Sequence, residues 1–319
     1  MISNHFLTQN HRFFVTFAHL KPARTPVALQ KNIMRLFLTI TLFILCICTH
    51  AQSSSNTMTP ATTGYAPVNG LKLYYETYGE GAPLVLVHGS YMNIPLNWGP
   101  LIPILSKNHK VIAFEMQGHA RTADITRPYS YPALADDIAG LLRYLKIDSA
   151  DVIGYSLGAT IALQLTIAHP KMVTRLVFIS SSYKYDGWIK PARDLFPTIK
   201  PEFLEGTPLK TNYDSLAPDK SRWTAFVTKL SKFDATPFDL GDEKVKAIKC
   251  PVLIIKGDND GVELSHVAEM YKLLGGGVFA DMTGLPRSQL AILPAATHVS
   301  LMMETDMLVS LIGPFLDKK

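Results

Sequence analysis

A mainly parallel β-sheet with helices on both faces, the α/β class, is what this chain predicts, and three observations carry it. Short, largely apolar runs such as PLVLV, KVIAF, DVIGY and PVLII recur along the sequence; a strand without polar alternation is one buried on both faces, as in a parallel sheet. Stretches of helical periodicity lie between them, the alternation that builds such a sheet. Glycines, serines, aspartates and histidines gather just after several of these runs, at the carboxyl ends where open parallel sheets bind ligands. A chain of 319 residues that is 47% hydrophobic can bury the core this requires as one domain with an insertion.

The elements follow in order. YAPVNGLKLYYETYG alternates around Asn69-Gly70, a strong short hairpin signal, so the ordered domain, residues 64–319, opens on an antiparallel pair near Gly64. PLVLVHG is the next strand, and Lys110 to Phe114 another. Tyr131 to Leu145 reads as a helix, Asp151 to Tyr155 as a strand and Leu157 to Ala168 as a helix. Thr174 to Ser180 and Pro251 to Ile255 read as strands, Leu264 to Leu274 as a helix, Gln289 to Leu293 as a strand and Thr305 to Leu316 as a closing helix. Between about 183 and 246 the rhythm breaks: Trp188, Phe196, Phe203, Tyr213, Trp223 and Phe226 stand among charges and prolines without a strand pattern. A structureless loop of that length is improbable in a compact domain, so a small helical cap over the sheet is expected.

The first 63 residues read differently. Lys31 and Arg35 precede the apolar run LFLTITLFILCICT, and Thr49-His50-Ala51 supplies small residues before the polar QSSSNT. This pattern predicts a secretory signal at 34–51 cleaved after Ala51, with 1–33 an upstream extension ahead of Met34, 52–63 a flexible segment, and the mature protein secreted or periplasmic. The run is short for a membrane span, so no stable membrane association is expected after cleavage. Residues 1–51 hold five basic and no acidic residues, which accounts for the whole formal charge of +5; the remainder has no basic stripe and no case for nucleic acid binding. Cleavage would leave Cys250 alone, without a disulfide partner, reading as a small hydrophobe at a strand start.

Four strand ends carry polar residues: His88-Gly89-Ser90, Gly154-Tyr155-Ser156-Leu157-Gly158, Gly257-Asp258-Asn259-Asp260, and His298. The pattern G-x-S-x-G at a strand-to-helix junction forces a sharp turn that projects the serine hydroxyl above the sheet, beside the free N–H groups of a helix start. Serine needs a base to become a nucleophile. His298 follows the last strand in a small-residue loop, whereas His109 and His169 sit beside charged or turn residues and His266 falls inside a surface helix. A histidine suits the task because its ordinary pKa of about 6.5 lets it take and return a proton near neutrality. An acid must orient it, and Asp258 and Asp260 are both candidates. No His, Cys or Asp cluster has metal-ligand spacing, so neither a metal nor a cofactor is expected.

From about Val68 to Lys319, with the G-Y-S-L-G turn, the strand-end aspartates and His298 in the order Ser, Asp, His, the chain resembles the α/β-hydrolase family. The resemblance implies the family fold with a helical cap and puts the acid on Asp260, three residues after Gly257, leaving Asp258 to brace the turn. It also implies an oxyanion hole from the backbone N–H groups of Leu157 and Ser90, donors worth ~2.7–4 kcal/mol each. Phe114 to Thr122, FEMQGHART, departs from the family's D-x-x-G-x-G-x-S by Glu115, Ala120 and Thr122. A serine where related dehalogenases have aspartate implies acyl chemistry. The expectation is a serine hydrolase with catalytic Ser156, Asp260 and His298 acting on a small apolar carboxylic ester or lactone. Carbon–carbon bond hydrolases, cofactor-free haloperoxidases and acyltransferases of the superfamily share the motifs, and a receptor-like binder with a vestigial triad is a second alternative. Proline iminopeptidases usually carry tryptophan after the serine, where this chain has Leu157.

Overall fold

The computed structural model describes residues 58–317. The expected signal peptide at 34–51 and upstream extension at 1–33 lie outside them. The strands are β1 (Thr62–Val68), β2 (Leu71–Tyr78), β3 (Ala82–Val87), β4 (His109–Phe114), β5 (Ala150–Tyr155), β6 (Val173–Ile179), β7 (Val252–Asn259) and β8 (Gln289–Thr297). They form one sheet in the order β1-β2-β4-β3-β5-β6-β7-β8. The β1–β2 hairpin pairs antiparallel with β4, and every pairing from β4 onward is parallel.

The helices are α1 (Ile94–Trp98), α2 (Ile102–Leu105), α3 (Tyr131–Tyr144), α4 (Leu157–Ala168), α5 (Lys190–Leu195), α6 (Pro201–Leu204), α7 (Pro208–Leu216), α8 (Trp223–Asp234), α9 (Asp242–Lys246), α10 (Leu264–Leu273), α11 (Ala280–Thr283) and α12 (Thr305–Leu316). Residues 185–246 form short helices, α5 to α9 with intervening 3₁₀ turns, and join strand-like pairing only through the isolated Lys184–Asp239 and Trp188–Val262 bridges.

The two-residue period of a strand explains why the central runs are apolar throughout. Val85 and Val87 of β3, Val152 of β5 and Leu176 and Phe178 of β6 enter one core with α3, α4 and cap residues Phe226 and Leu230. Their neighbours Leu84, Leu86, Ile153, Val177 and Ile179 enter a second core on the opposite face with α1, α2 and α12. α4 is buried nearly all round, so its sequence shows no amphipathic stripe.

Several boundaries differ from the sequence expectation. β1 begins at Thr62, where Thr62 and Thr63 pair with Thr77 and Glu76, so the end of the expected flexible segment is strand. β8 continues past Leu293 through Pro294 to Thr297; proline is tolerated because β8 is an edge strand, and a register shift with Ala295 at φ 55° accommodates it. Helices α1 and α2, four to five residues each, are too short to show periodicity. His266 lies on α10 as expected, but only 5% of it is exposed: it faces inward, with Nε2 2.9 Å from Ser182 Oγ and its ring stacked on Tyr183.

The departures in FEMQGHART form a buried ion cluster. Glu115 is fully buried and receives the Arg121 backbone N–H at 2.7 Å and its Nε at 3.0 Å. Arg121 Nη1 donates to Glu76 at 2.7 Å, and Tyr74 and Tyr78 also donate to Glu76. Thr122 Oγ1 accepts from the Tyr74 backbone N–H at 2.9 Å, stitching the loop to β2. Removing one partner from such a cluster strands a buried charge, which costs about 3–5 kcal/mol. Arg121→Met is therefore expected to lower unfolding free energy by about that amount in urea titration, and a loss below about 1 kcal/mol would show that Glu115 and Glu76 do not depend on it.

Candidate active site

β5 delivers Ser156 into a turn with φ 53° and ψ −126°, a conformation rare for a residue with a side chain, immediately before α4. The flanking glycines are fixed by contact. A Cβ on Gly154 would sit 2.5 Å from Gly158 O, and one on Gly158 would sit 2.2 Å from Val87 O. The sequence G-x-S-x-G is thus what lets β5, the turn and β3 approach closely enough to lift the serine above the sheet.

His298, just beyond β8, bridges the other two residues expected from the sequence. Its Nε2 lies 3.0 Å from Ser156 Oγ and its Nδ1 2.9 Å from Asp260 Oδ1. Tyr155, beside the serine, donates its hydroxyl to His298 O at 2.9 Å, and the edges of the Trp188 and His298 rings meet at a centroid distance of 5.5 Å. Asp258 Oδ1 instead accepts from Asn259 Nδ2 at 2.8 Å and from the Ala296 N–H at 3.1 Å, bracing β7 against β8. Of the two aspartates, Asp260 meets His298 and Asp258 does not.

Burial alone would raise the Asp260 carboxyl; the His298 hydrogen bond and charge, then Ser180 and the Lys256 charge, outweigh it and hold it below the ordinary range. Ser180 follows β6 directly, at φ 50°. Its Oγ and Asp260 Oδ2 are both buried without completing a hydrogen bond by distance and angle, although the hydroxyl is near enough to lower the carboxyl. Lys256 is buried within β7 and donates Nζ to Val262 O at 2.7 Å, closing the turn that presents Asp260. Neither residue is legible in the sequence, because a lone lysine in an apolar strand and a serine after another gain meaning only once β6 and β7 are neighbours.

The Ser90 loop adjoins Ser156: a Cβ on Gly89 would lie 3.3 Å from Ser156 Cβ. Asn97 of α1 holds this loop through the Gly89 N–H at 2.8 Å. Leu157 opens α4, whose first N–H groups have no partner within the helix and favour developing negative charge. His88 does not compete as a base. The Met116 N–H donates to its Nε2 at 3.1 Å and its Nδ1 lies 2.9 Å from Gly89 O, an arrangement for a neutral ring, and burial lowers its pKa well below the ordinary value.

The cap is fastened to the turn carrying Asp260. Trp188 bridges Val262, the Ile189 N–H donates to Gly261 O at 2.9 Å, and the Glu263 N–H to Gly187 O at 2.8 Å. On α8, Phe226 packs edge-on against His119 at 4.8 Å and Tyr91 at 6.1 Å, and Asp234 accepts from Ser90 Oγ at 3.2 Å. A cleft of about 310 Å³ runs between residues 118–124 and α7–α8, bordered by Tyr213, Arg222 and Phe226; none of Ser156, Asp260 and His298 lines it. Cys250 is half-buried, and burial pushes its thiol up to about 11, which suits an inert packing role. Among the described residues no group of three His, Cys, Asp or Glu side chains is placed to hold a metal ion.

Residues 84–309 match the family model described as the alpha/beta hydrolase family, and the chain belongs to that family. Over 118 residues it is 37% identical to a 2-hydroxymuconate semialdehyde hydrolase of a Pseudomonas strain, a match covering 35% of this chain and 41% of that one. It is 25% identical over 224 residues to a putative carbamate hydrolase of Azorhizobium caulinodans, covering 65% of this chain and 84% of the relative. The chain thus spans less than half the length of the first of these relatives. Among solved structures, a meta-cleavage product hydrolase from Pseudomonas fluorescens superposes with a TM-score of 0.64 at 23% identity, over 81% of this chain and 98% of that one. An enol-lactonase from Burkholderia xenovorans gives 0.62 at 22%, over 80% and 100%. At these identities the structures show the shared fold.

Two outcomes follow from the site. Asp260→Asn is expected to lower the hydrolytic rate by orders of magnitude and Asp258→Asn by no more than about tenfold, as Asp260 alone meets His298; comparing kcat/KM of the two variants checks this. Burial lowers His119 and His266 each to about 4. A ring held neutral in the fold contributes stability above its unfolded pKa of about 6.5, and this is lost as pH falls from there toward about 4. Tm should therefore decline over that window, with a shallower decline in His266→Gln.

Proposed function

We propose that this chain is a serine hydrolase that cleaves a small carboxylic ester or lactone through an acyl-enzyme. The observation that carries the reading is His298, hydrogen-bonded at once to the Ser156 hydroxyl and the Asp260 carboxylate. Ser156 Oγ attacks the substrate carbonyl carbon as its proton passes to His298 Nε2. The Asp260 carboxylate, kept ionised, holds Nδ1–H and stabilises the imidazolium. The Ser90 and Leu157 N–H groups take the oxyanion. Collapse expels the alcohol, which leaves with the proton from His298. A water then gives a proton to His298 and attacks the acyl carbon, and release of the carboxylic acid restores Ser156.

The aromatic cap supports a substrate with an apolar portion, because Trp188 and Phe226 are turned to His298 and His119. A carbon–carbon bond hydrolase is the second reading, favoured by the similarity to a 2-hydroxymuconate semialdehyde hydrolase; it uses the same three residues on a different carbonyl. We further propose that residues 34–51 direct export, on the charged start, apolar run and Thr49-His50-Ala51 of the sequence.

A panel of short p-nitrophenyl esters, lactones and a 2-hydroxymuconate-type dienone, run on residues 52–319, decides among these. Turnover of esters or lactones with Ser156 labelled by a fluorophosphonate is expected, and Ser156→Ala should cost ~10³-fold or more in kcat. Turnover of the dienone alone would select the second reading, and neither turnover nor labelling would leave a binding protein.

A further inference from the structure

Asp234 ends α8 at the seam between the cap and the loop that carries Ser90, and the mechanism does not use it. Ser90 Oγ donates to its Oδ1 at 3.2 Å, and Ser90 follows Gly89, whose Cβ position touches Ser156 Cβ at 3.3 Å. Tyr91 follows Ser90 in the same loop, and Tyr131 opens α3 against Phe233, the chain neighbour of Asp234; burial and then the Asp234 charge raise both hydroxyls. Phe233 packs against Tyr129 at 5.8 Å and Tyr131 at 5.0 Å, and Phe238 against Tyr131 at 4.4 Å. No lysine or arginine among the described residues pairs with Asp234; Lys229 of the same helix is held by Asp124 at 2.7 Å and lies over the Tyr129 ring, 4.5 Å from its centroid.

The seam therefore holds a half-buried carboxyl with a single hydroxyl donor and no counter-charge, and burial pushes it up to about 7 against the pull of the Ser90 bond. An unpaired carboxylate in such a place is destabilising, and next to the Ser90 loop it also opposes the negative charge that develops on the substrate oxygen. A cation supplied by the substrate removes both penalties, and tyrosine and phenylalanine faces attract the same cation.

We propose that Asp234 with Tyr91 and Tyr131 forms a subsite for a protonated amine, so that the preferred substrate is a small ester or lactone bearing an ammonium group beneath the cap. This rests on the serine-hydrolase reading of Ser156, which it narrows to one substrate class. Because the ammonium offsets a charge that disfavours the oxyanion, it aids the transition state as well as binding.

The test compares 2-(dimethylamino)ethyl acetate with its neutral carbon isostere, 3-methylbutyl acetate, at neutral pH. The wild-type protein should favour the cationic ester by about tenfold or more in kcat/KM, and Asp234→Asn, which keeps an acceptor for Ser90, should bring the ratio close to one. A wild-type ratio of one or less overturns the subsite without recourse to any variant. A second measurement needs no turnover: 2-(dimethylamino)ethanol should raise the Tm of Ser156→Ala and fail to do so in Ser156→Ala/Asp234→Asn. Equal responses overturn the subsite even if esters are hydrolysed. Loss of hydrolysis of both esters, with a Tm response that depends on Asp234, would instead refute the esterase reading and leave the amine site standing.

Discussion

The double hydrogen bond of His298 is the constraint that the rest of the fold serves. Ser156 leaves β5 and Asp260 leaves β7, with β6 between them, so the two ends stand about two strand spacings apart, roughly 9–10 Å. An imidazole bonded on both nitrogens spans that gap, and the distances of 3.0 and 2.9 Å show both bonds made. Holding it there requires that β8 lie against β7, which Asp258 secures through the Ala296 N–H, and that the histidine loop be anchored, which Tyr155 does at His298 O. The strained turn at Ser156, the buried Lys256 and the short α1 with Asn97 are further parts of the same scaffold.

The cap belongs to that scaffold too. Its first turns are hydrogen-bonded to residues 261–263, directly after Asp260, and its longest helix reaches back through Phe226 and Asp234 to the loops after β4 and β3. Movement of the cap would thus be felt at both the acid turn and the Ser90 loop.

Much of this was legible in the sequence because it depends on local chemistry. Two glycines around a serine, apolar strands ended by polar residues, and the order Ser156, Asp260, His298 are properties of short stretches, and the structure brings those three residues together. Other features were not legible because they depend on distant partners. Asp234 reads as an ordinary helix-end acid until α8 is laid over Ser90, 144 residues away in sequence. Lys256 breaks an apolar strand without apparent purpose until the turn folds back to offer Val262 O. His266 reads as a surface residue because a short amphipathic helix does not announce which of its polar side chains turns inward. The sequence ends β8 at Leu293 because a proline stops a strand anywhere but at an edge or a bulge.

The proposed chemistry requires that Ser156 carry the acyl group. Rapid-quench intact-mass measurement during the first turnovers of p-nitrophenyl acetate reads this directly. One acetyl group per chain, mapped by fragmentation to Ser156 and formed in step with the burst of p-nitrophenol, is the predicted result. A burst with no acetyl on Ser156, or with acetyl on another residue, would contradict it.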